Sequence, residues 1–310
     1  METDSNVRRL WTYAGLTLTV IFWGASFVAT KIILLELTPA TIIVIRFGVG
    51  FIVLLVTVGL RREIRPVHRQ KLPFLALLGF LGITFHQWLQ VTGLKTTAAT
   101  ITAWVVATIP VFVALLGWVI LGERLTKQRV AGIALAAGGV VTVVSGGDLL
   151  ALTSGRVGTV GDIMIAISAI NWAVFTVLSK RALGVRRSDL YEGAADNGSP
   201  VMAMLYVMGF GLAFSLPWAL VDGGWRALAT ISEQGWWALI FLGVACSGLA
   251  YLFWYNALDV MPATQAGVFL YLEPLVTAAL AGPLLGEATT TITVLGGAAI
   301  LLGVWWVNQG

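Results

Sequence analysis

Long apolar runs, each close to the length that crosses a bilayer, follow one another along the whole chain with short polar breaks between them. A spanning helix needs about 20 predominantly apolar residues. The pattern predicts ten such helices, over residues 11–33, 41–60, 72–93, 98–121, 128–146, 160–181, 199–221, 236–257, 263–285 and 290–308. Helix breakers mark the connections: Thr38-Pro39, Arg65-Pro66, Gly122-Glu123, Gly146-Gly147, Gly223-Gly224 and Pro262. Membrane barrel strands would alternate over about ten residues, and these runs do not alternate. The expected class is an all-α polytopic membrane protein.

Composition agrees. The 310 residues are 58% hydrophobic and only 11% charged, where soluble domains carry roughly 25% charged residues. The 13 Trp suit membrane interfaces, and the 35 Gly suit close helix approach. The lone Cys246 excludes a disulfide framework and reads as a packed core thiol. The first apolar run is too long for a removed signal peptide and lacks a small-residue cleavage site.

Charge sets the expected orientation. With the N-terminus in the cytoplasm, fourteen basic residues fall inside: Arg8, Arg9, Arg61, Arg62, Arg65, Arg69, Lys71, Arg124, Lys127, Arg129, Lys180, Arg181, Arg186 and Arg187. Four fall outside, Lys31, Lys95, Arg156 and Arg226, while Arg46 lies within a helix. Cytoplasmic loops carry the Lys/Arg excess, so both termini are expected in the cytoplasm. The net charge of +4 is explained by this topology, without nucleic acid.

The chain also repeats itself. Residues 93–143 lie over 257–307 without a gap, matching Leu94, Ala99, Thr100, Pro110, Ala114, Leu116, Leu121, Gly122, Glu123, Thr126, Val130, Gly132 and Gly139. More faintly, FWGASFVATK (22–31) lies over NWAVFTVLSK (171–180), pairing Trp23 with Trp172. The expected units are residues 1–146 and 147–310, five helices each. Five is odd, so the second unit must cross the membrane upside down. The loop after the fourth helix keeps Arg124, Lys127 and Arg129; its mate after the ninth has Ala288, Thr291 and Thr293. Inverted repeats are a common transporter plan, with the substrate site near the midplane between the halves.

FWGASFVATK, IRFGVG, GLKTTAATITAWVVATIPVFVALLGWVILGERL and NALDVMPATQAGVFLYLEPLVTAALAGPLLGE resemble the paired EamA repeats of the drug/metabolite transporter superfamily, and within it the bacterial amino-acid exporters of the YddG type. The resemblance covers almost the whole chain. It implies a ten-helix basket whose central cavity is lined mainly by helices 1, 3, 4, 6, 8 and 9, and export of amino acids or related metabolites.

Polar residues at membrane depth are costly and face a cavity or a partner. Glu273, near the middle of the ninth helix, is either a protonatable group that senses substrate or couples protons, or a neutral acid bonded to backbone freed by Pro274. Its repeat-mate is Ile109, so the fold does not require an acid there. His86 and Gln90 share a helix face with Gln87 beside them; they line the cavity or bond between helices. Trp104 and Trp172, away from the helix ends and with Asn171 adjoining, form cavity walls or packing contacts. Tyr251, Tyr255 and Asn256, with Tyr271 and Gln265, complete a polar lining. The candidate substrate-binding set is therefore His86, Gln87, Gln90, Trp104, Asn171, Trp172, Tyr251, Tyr271 and Glu273. Arg46, near the outer end of the second helix, is expected to snorkel or to pair with an acid such as Glu36. Glu123 and Glu287 follow glycines at helix ends and are expected to cap or hinge. The fifth and tenth helices read as small-residue packing faces.

The sequence holds no GxxxxGK[ST], HExxH or GxSxG motif, so neither a nucleotide motor nor a familiar hydrolase is expected, and no cofactor or metal. The first helix has no glutamate, unlike small multidrug pumps, and the ninth has no Lys or Arg to hold an anionic sugar nucleotide. The expected function is secondary export of small solutes by a monomer in the lipid bilayer. The rivals are an exporter of hydrophobic drugs on the same fold, and an intramembrane enzyme or scaffold.

Overall fold

The computed structural model describes residues 2–62, 67–121, 126–148, 159–182, 200–260, 266–267 and 269–309, with the side chains of residues 2–10, 120–121, 180–182, 200 and 259–260 left aside. Glu123, Gln265 and most of the long polar loop near residue 190 lie outside this set. Among the described residues there is helix and no strand.

The helices are α1 (Glu2–Ile33), α2 (Pro39–Leu60), α3 (Leu72–Gly79 and His86–Gly93), α4 (Ala99–Val106 and Ile109–Leu121), α5 (Lys127–Ser145), α6 (Val160–Ala182), α7 (Pro200–Asp222), α8 (Glu233–Ile240 and Ala250–Val260), α9 (Glu273–Leu285, entered by a 3₁₀ turn Leu270–Leu272) and α10 (Thr291–Gln309). Among the described residues nine helices are long and apolar enough to cross a membrane, and Leu270–Leu285 is a shorter apolar helix. The expected ninth span begins in residues outside the described set. The first helix starts nine residues earlier than expected, at Glu2; elsewhere the boundaries agree to within a few residues, with Pro39 at the start of α2 and the Thr126, Ser232 and Thr290 hydroxyls at the starts of α5, α8 and α10 supplying cap chemistry.

Four helices are interrupted. In α3 and α8 the α-segments are joined through π-helical stretches, Phe80–Phe85 and Phe241–Leu249. In α4 the break falls at Ala107-Thr108, just before Pro110, and in α9 at the 3₁₀ turn just before Pro274. Proline cannot donate to the carbonyl four residues back. Hydropathy alone carries no sign of the π-helical turns.

Helices α5 and α10 pack backbone to backbone. A Cβ on Gly132 would meet the Gly303 carbonyl at 2.6 Å, and one on Gly139 the Gly296 carbonyl at 2.6 Å. Without a hydrophobic force between helices in lipid, such close approach by small residues is what holds them together.

The Leu-Gly-Glu turn after α9 joins the two halves of the chain. Gly286 ends α9 in the left-handed region, φ 69°, where glycine alone is unstrained. Its N–H donates to the Gly282 carbonyl (3.0 Å), and that of Glu287 to the Ala281 carbonyl (3.2 Å). The reversed chain carries the Glu287 carboxylate onto the start of α4. There it accepts from the N–H of Ala99 (2.7 Å), the N–H of Thr100 (3.0 Å) and the Thr100 hydroxyl (2.7 Å). The capping expectation for Glu287 thus takes a specific form: it caps a helix nearly two hundred residues earlier. Residue Ala98, at the start of α4, has no side-chain oxygen to do so.

Glu36, in the α1–α2 turn, accepts from the Ser232 N–H and hydroxyl, both at 2.6 Å. The hydroxyl, then the N–H, holds this carboxyl below its usual range. A depressed folded pKa stabilises above the unfolded pKa and is lost as pH falls through the folded value.

Two substitutions test this architecture. Gly139→Val should destabilise the purified protein by about 1–3 kcal/mol through backbone overlap, whereas Gly138→Ala, which meets nothing within 4 Å, should not. Glu287→Ala should cost about 1–3 kcal/mol, since it orphans donors bonded to a charged group. Thermal unfolding in detergent reads both; an unchanged midpoint for either damaging variant contradicts the packing described.

Candidate functional site

The interrupted helices surround a cavity of about 780 Å³, a figure that includes the open space at its mouth. From α1 come Trp23, Ser26 and Phe27; from α3, His86, Gln87 and Gln90; from α6, Trp172; from α8, Tyr251. The broken stretch of α4 contributes Val106, Ala107, Ile109 and Pro110, and that of α9 contributes Leu270, Tyr271 and Glu273. Arg46 of α2 is also among the lining residues.

Seven of the nine residues singled out in the sequence meet here: His86, Gln87, Gln90, Trp172, Tyr251, Tyr271 and Glu273. The His86 ring lies 4.6 Å from that of Trp172, which continues to Phe175 at 4.9 Å. His86 Nδ1 is 3.2 Å from the Ser168 carbonyl. A carbonyl only accepts, so Nδ1 carries the proton and a neutral ring keeps Nε2 as an acceptor. Tyr251 packs edge-on to Trp23, ring centroids 5.6 Å apart. The Tyr271 hydroxyl accepts from Asn308 Nδ2 of α10.

Two of the nine stand elsewhere. Trp104 faces α10: its indole occupies the space that a Cβ on Gly297 would take, within a cluster containing Val143, Ile300 and Val304. Packing against a glycine, not wall-building, fixes it. Asn171 donates from Nδ2 to the Leu81 carbonyl at 2.7 Å, inside the π-helical turn of α3. The amide next to Trp172 is consumed in satisfying backbone.

Trp23, the repeat-mate of Trp172, has two roles. It lines the cavity, and its Nε1 donates to the Cys246 carbonyl in the π-helical stretch of α8 (3.1 Å). Tyr255 and Asn256 are not among the lining residues, and Asn256 accepts from Arg61 at 3.1 Å instead.

Arg46 overturns the expectation made for it. It neither snorkels nor meets Glu36, whose carboxylate is taken by Ser232. It is 4% exposed, donating from Nε to Ser247 Oγ at 2.8 Å and from Nη1 to Gln87 Oε1 at 3.3 Å, with its guanidinium carbon 5.3 Å from the Phe47 ring centre. The physical reason is the close approach of α2 and α8. Gly50 touches Ser247, and Val49 and Val53 touch Gly243 and Gly248, which leaves the arginine in the protein interior. Sequence depth placed it near a helix end; only its facing, set by those glycines, turns it inward.

Glu273 is 8% exposed and its carboxylate bonds no described residue; its backbone is engaged, the N–H donating to the Leu270 carbonyl and the carbonyl accepting from Thr277 Oγ1 at 3.0 Å. That Thr277 hydroxyl also reaches the Gly24 carbonyl of α1 at 2.8 Å, fixing the broken helix while leaving the acid free. The expectation that the acid bonds backbone released by Pro274 is not met.

Comparison with known proteins agrees with this architecture. A solved crystal structure of a protein shares the fold at TM-score 0.62 with 18% identity, covering 96% of this chain and 97% of that one. A protein of Archaeoglobus fulgidus named an uncharacterized transporter is 32% identical over 95% of this chain and 96% of its own. A probable terminal-alkyne amino-acid exporter of Streptantibioticus cattleyicolor is 29% identical over 95% and 92%. These relatives are named as transporters, not enzymes. The EamA-like transporter family matches residues 10–145 and again 159–309, and the chain, a multi-pass membrane protein, belongs to that family.

Proposed function

We propose that the protein is a secondary transporter that exports amino acids or related small metabolites across the bacterial inner membrane by alternating access. Its ten helices form two inverted five-helix repeats, residues 1–146 and 147–310, with both termini cytoplasmic. The observation that carries this is the α5–α10 contact. The sequence repeat pairs Gly132 with Gly296 and Gly139 with Gly303; the contacts join Gly132 to Gly303 and Gly139 to Gly296. Exchanging the repeats turns one contact into the other, as a two-fold axis between them requires. The breaks at Pro110 and Pro274, repeat-mates themselves, put unwound backbone from both halves at one cavity, the plan of inverted-repeat transporters.

Rocking of the halves then opens the cavity to each side in turn. Opening between the end of α9 and the start of α4 breaks the Glu287 cap, so that cap acts as a latch on one side. The amino-acid reading draws on the exporter among the relatives, and on a cavity with apolar walls and a few convergent polar groups.

Counterflow of radiolabelled amino acids into liposomes holding the purified protein tests the proposal. Exchange above protein-free liposomes is expected, and His86→Ala and Trp172→Ala should each slow it at least several-fold with folded yield unchanged. Full rates in both variants, or competition by hydrophobic cationic dyes with no amino-acid exchange, would sink it.

A further inference from the structure

We propose that Arg46 and Glu273 form the two poles of a site for a zwitterion, the guanidinium taking the α-carboxylate of an amino acid and the carboxylate taking its α-ammonium. The inference rests on the transport reading above and deepens it. Two residues of opposite formal charge line one cavity, each more than nine-tenths buried, from α2 and from the broken start of α9. Neither spends its charge on the other. Both hydrogen-bond partners of Arg46, Ser247 and Gln87, are neutral, and the Glu273 carboxylate bonds no described residue.

Such a pair is costly as it stands. Arginine does not deprotonate in proteins, and burying a charge without a partner costs free energy. A guanidinium has five N–H donors; the two bonds to Ser247 and Gln87 fix its plane and leave the others for a ligand. These two neutral acceptors orient the fork without neutralising it, which suits capture of a carboxylate. The opposite pole has the converse chemistry: a carboxylate has only acceptors when ionised, and an ammonium only donors.

The two poles sum to zero, so the cavity gains nothing from a net charge on the ligand. An anion satisfies Arg46 and leaves Glu273 facing it; a cation does the reverse. Only a ligand with both ends satisfies both, and one lacking an end leaves a buried group unpaired, the strongest basis for rejecting an analogue. Phe27, Val106, Trp172 and Leu270 on the walls suit an apolar side chain.

Three molecules with one side chain test this: leucine, N-acetyl-leucine with only the carboxylate, and leucinamide with only the ammonium. Each is used as a competitor of leucine counterflow in liposomes, and separately as a ligand stabilising the detergent-purified full chain against heat. The wild type should prefer leucine over both analogues at least tenfold in each assay. Glu273→Gln, close in shape, should lose leucine preference and turn to N-acetyl-leucine, changing the ratio of the two at least tenfold. A gain for the anion is not produced by a merely structural role. Arg46→Gln should turn the preference to leucinamide if it folds; the glutamate variant decides the matter if it does not. Equal action of the three on the wild type, no stabilisation by leucine, or an unchanged ranking in Glu273→Gln overturns the proposal. Counterflow without charge ranking leaves the transport reading standing and removes this one. Charge-ranked stabilisation without counterflow does the opposite.

Discussion

Inside a bilayer every backbone carbonyl must find a donor in the protein, and an unmet one costs several kcal/mol. Among the described residues four helices leave regular α-helical geometry, and two of the irregular turns are met by side chains from neighbouring helices. The π-helical turn of α3 is met at Leu81 by Asn171 of α6. That of α8 is met at Cys246 by Trp23 of α1, and the adjoining Ala250 carbonyl by the Thr19 hydroxyl at 3.3 Å. Each repair ties an interrupted helix to an intact one. Irregular backbone is tolerated in membranes where it is buried in protein or lines a cavity, and here the breaks in α4 and α9 line one.

The same constraint explains how the halves are joined. Helices α5 and α10 have no polar repair to offer, so they approach through glycines until backbone meets backbone. The joint at the end of α9 is polar instead, a carboxylate on three donors. One contact is apolar and rigid, the other is a set of hydrogen bonds that can be exchanged for water.

Much of this was legible in the sequence. Run length and breakers gave the helices, and the Leu-Gly-Glu after α9 was legible as a helix end, because Gly286 is required by the turn and Glu287 by the cap. Seven candidate residues meet at the cavity because depth along a helix can be counted. Facing cannot be counted in the same way where neighbours are apolar on all sides. Trp104 and Trp172 sit at similar depth, yet Gly297 draws one into packing while His86 lies tilted against the other at the cavity. Asn171 went to a π-helical turn that hydropathy does not register. Arg46 departs from the expectation because snorkelling is the usual fate of an arginine near a helix end, and two of the three glycines that turn it inward, Gly243 and Gly248, lie on another helix.

The central claim is that equivalent loops of the two repeats lie on opposite faces of the membrane. Thr126 and Thr290 are repeat-mates, and their hydroxyls cap α5 and α10 in the same way, accepting from Arg129 N at 3.2 Å and Thr293 N at 3.1 Å. Single cysteines at these positions, in a Cys246→Ser background, should react with an impermeant maleimide from opposite sides. Thr290→Cys should label in intact cells, and Thr126→Cys only in inside-out vesicles. Labelling of both from the same side would contradict inversion, and with it the account of how the cavity opens.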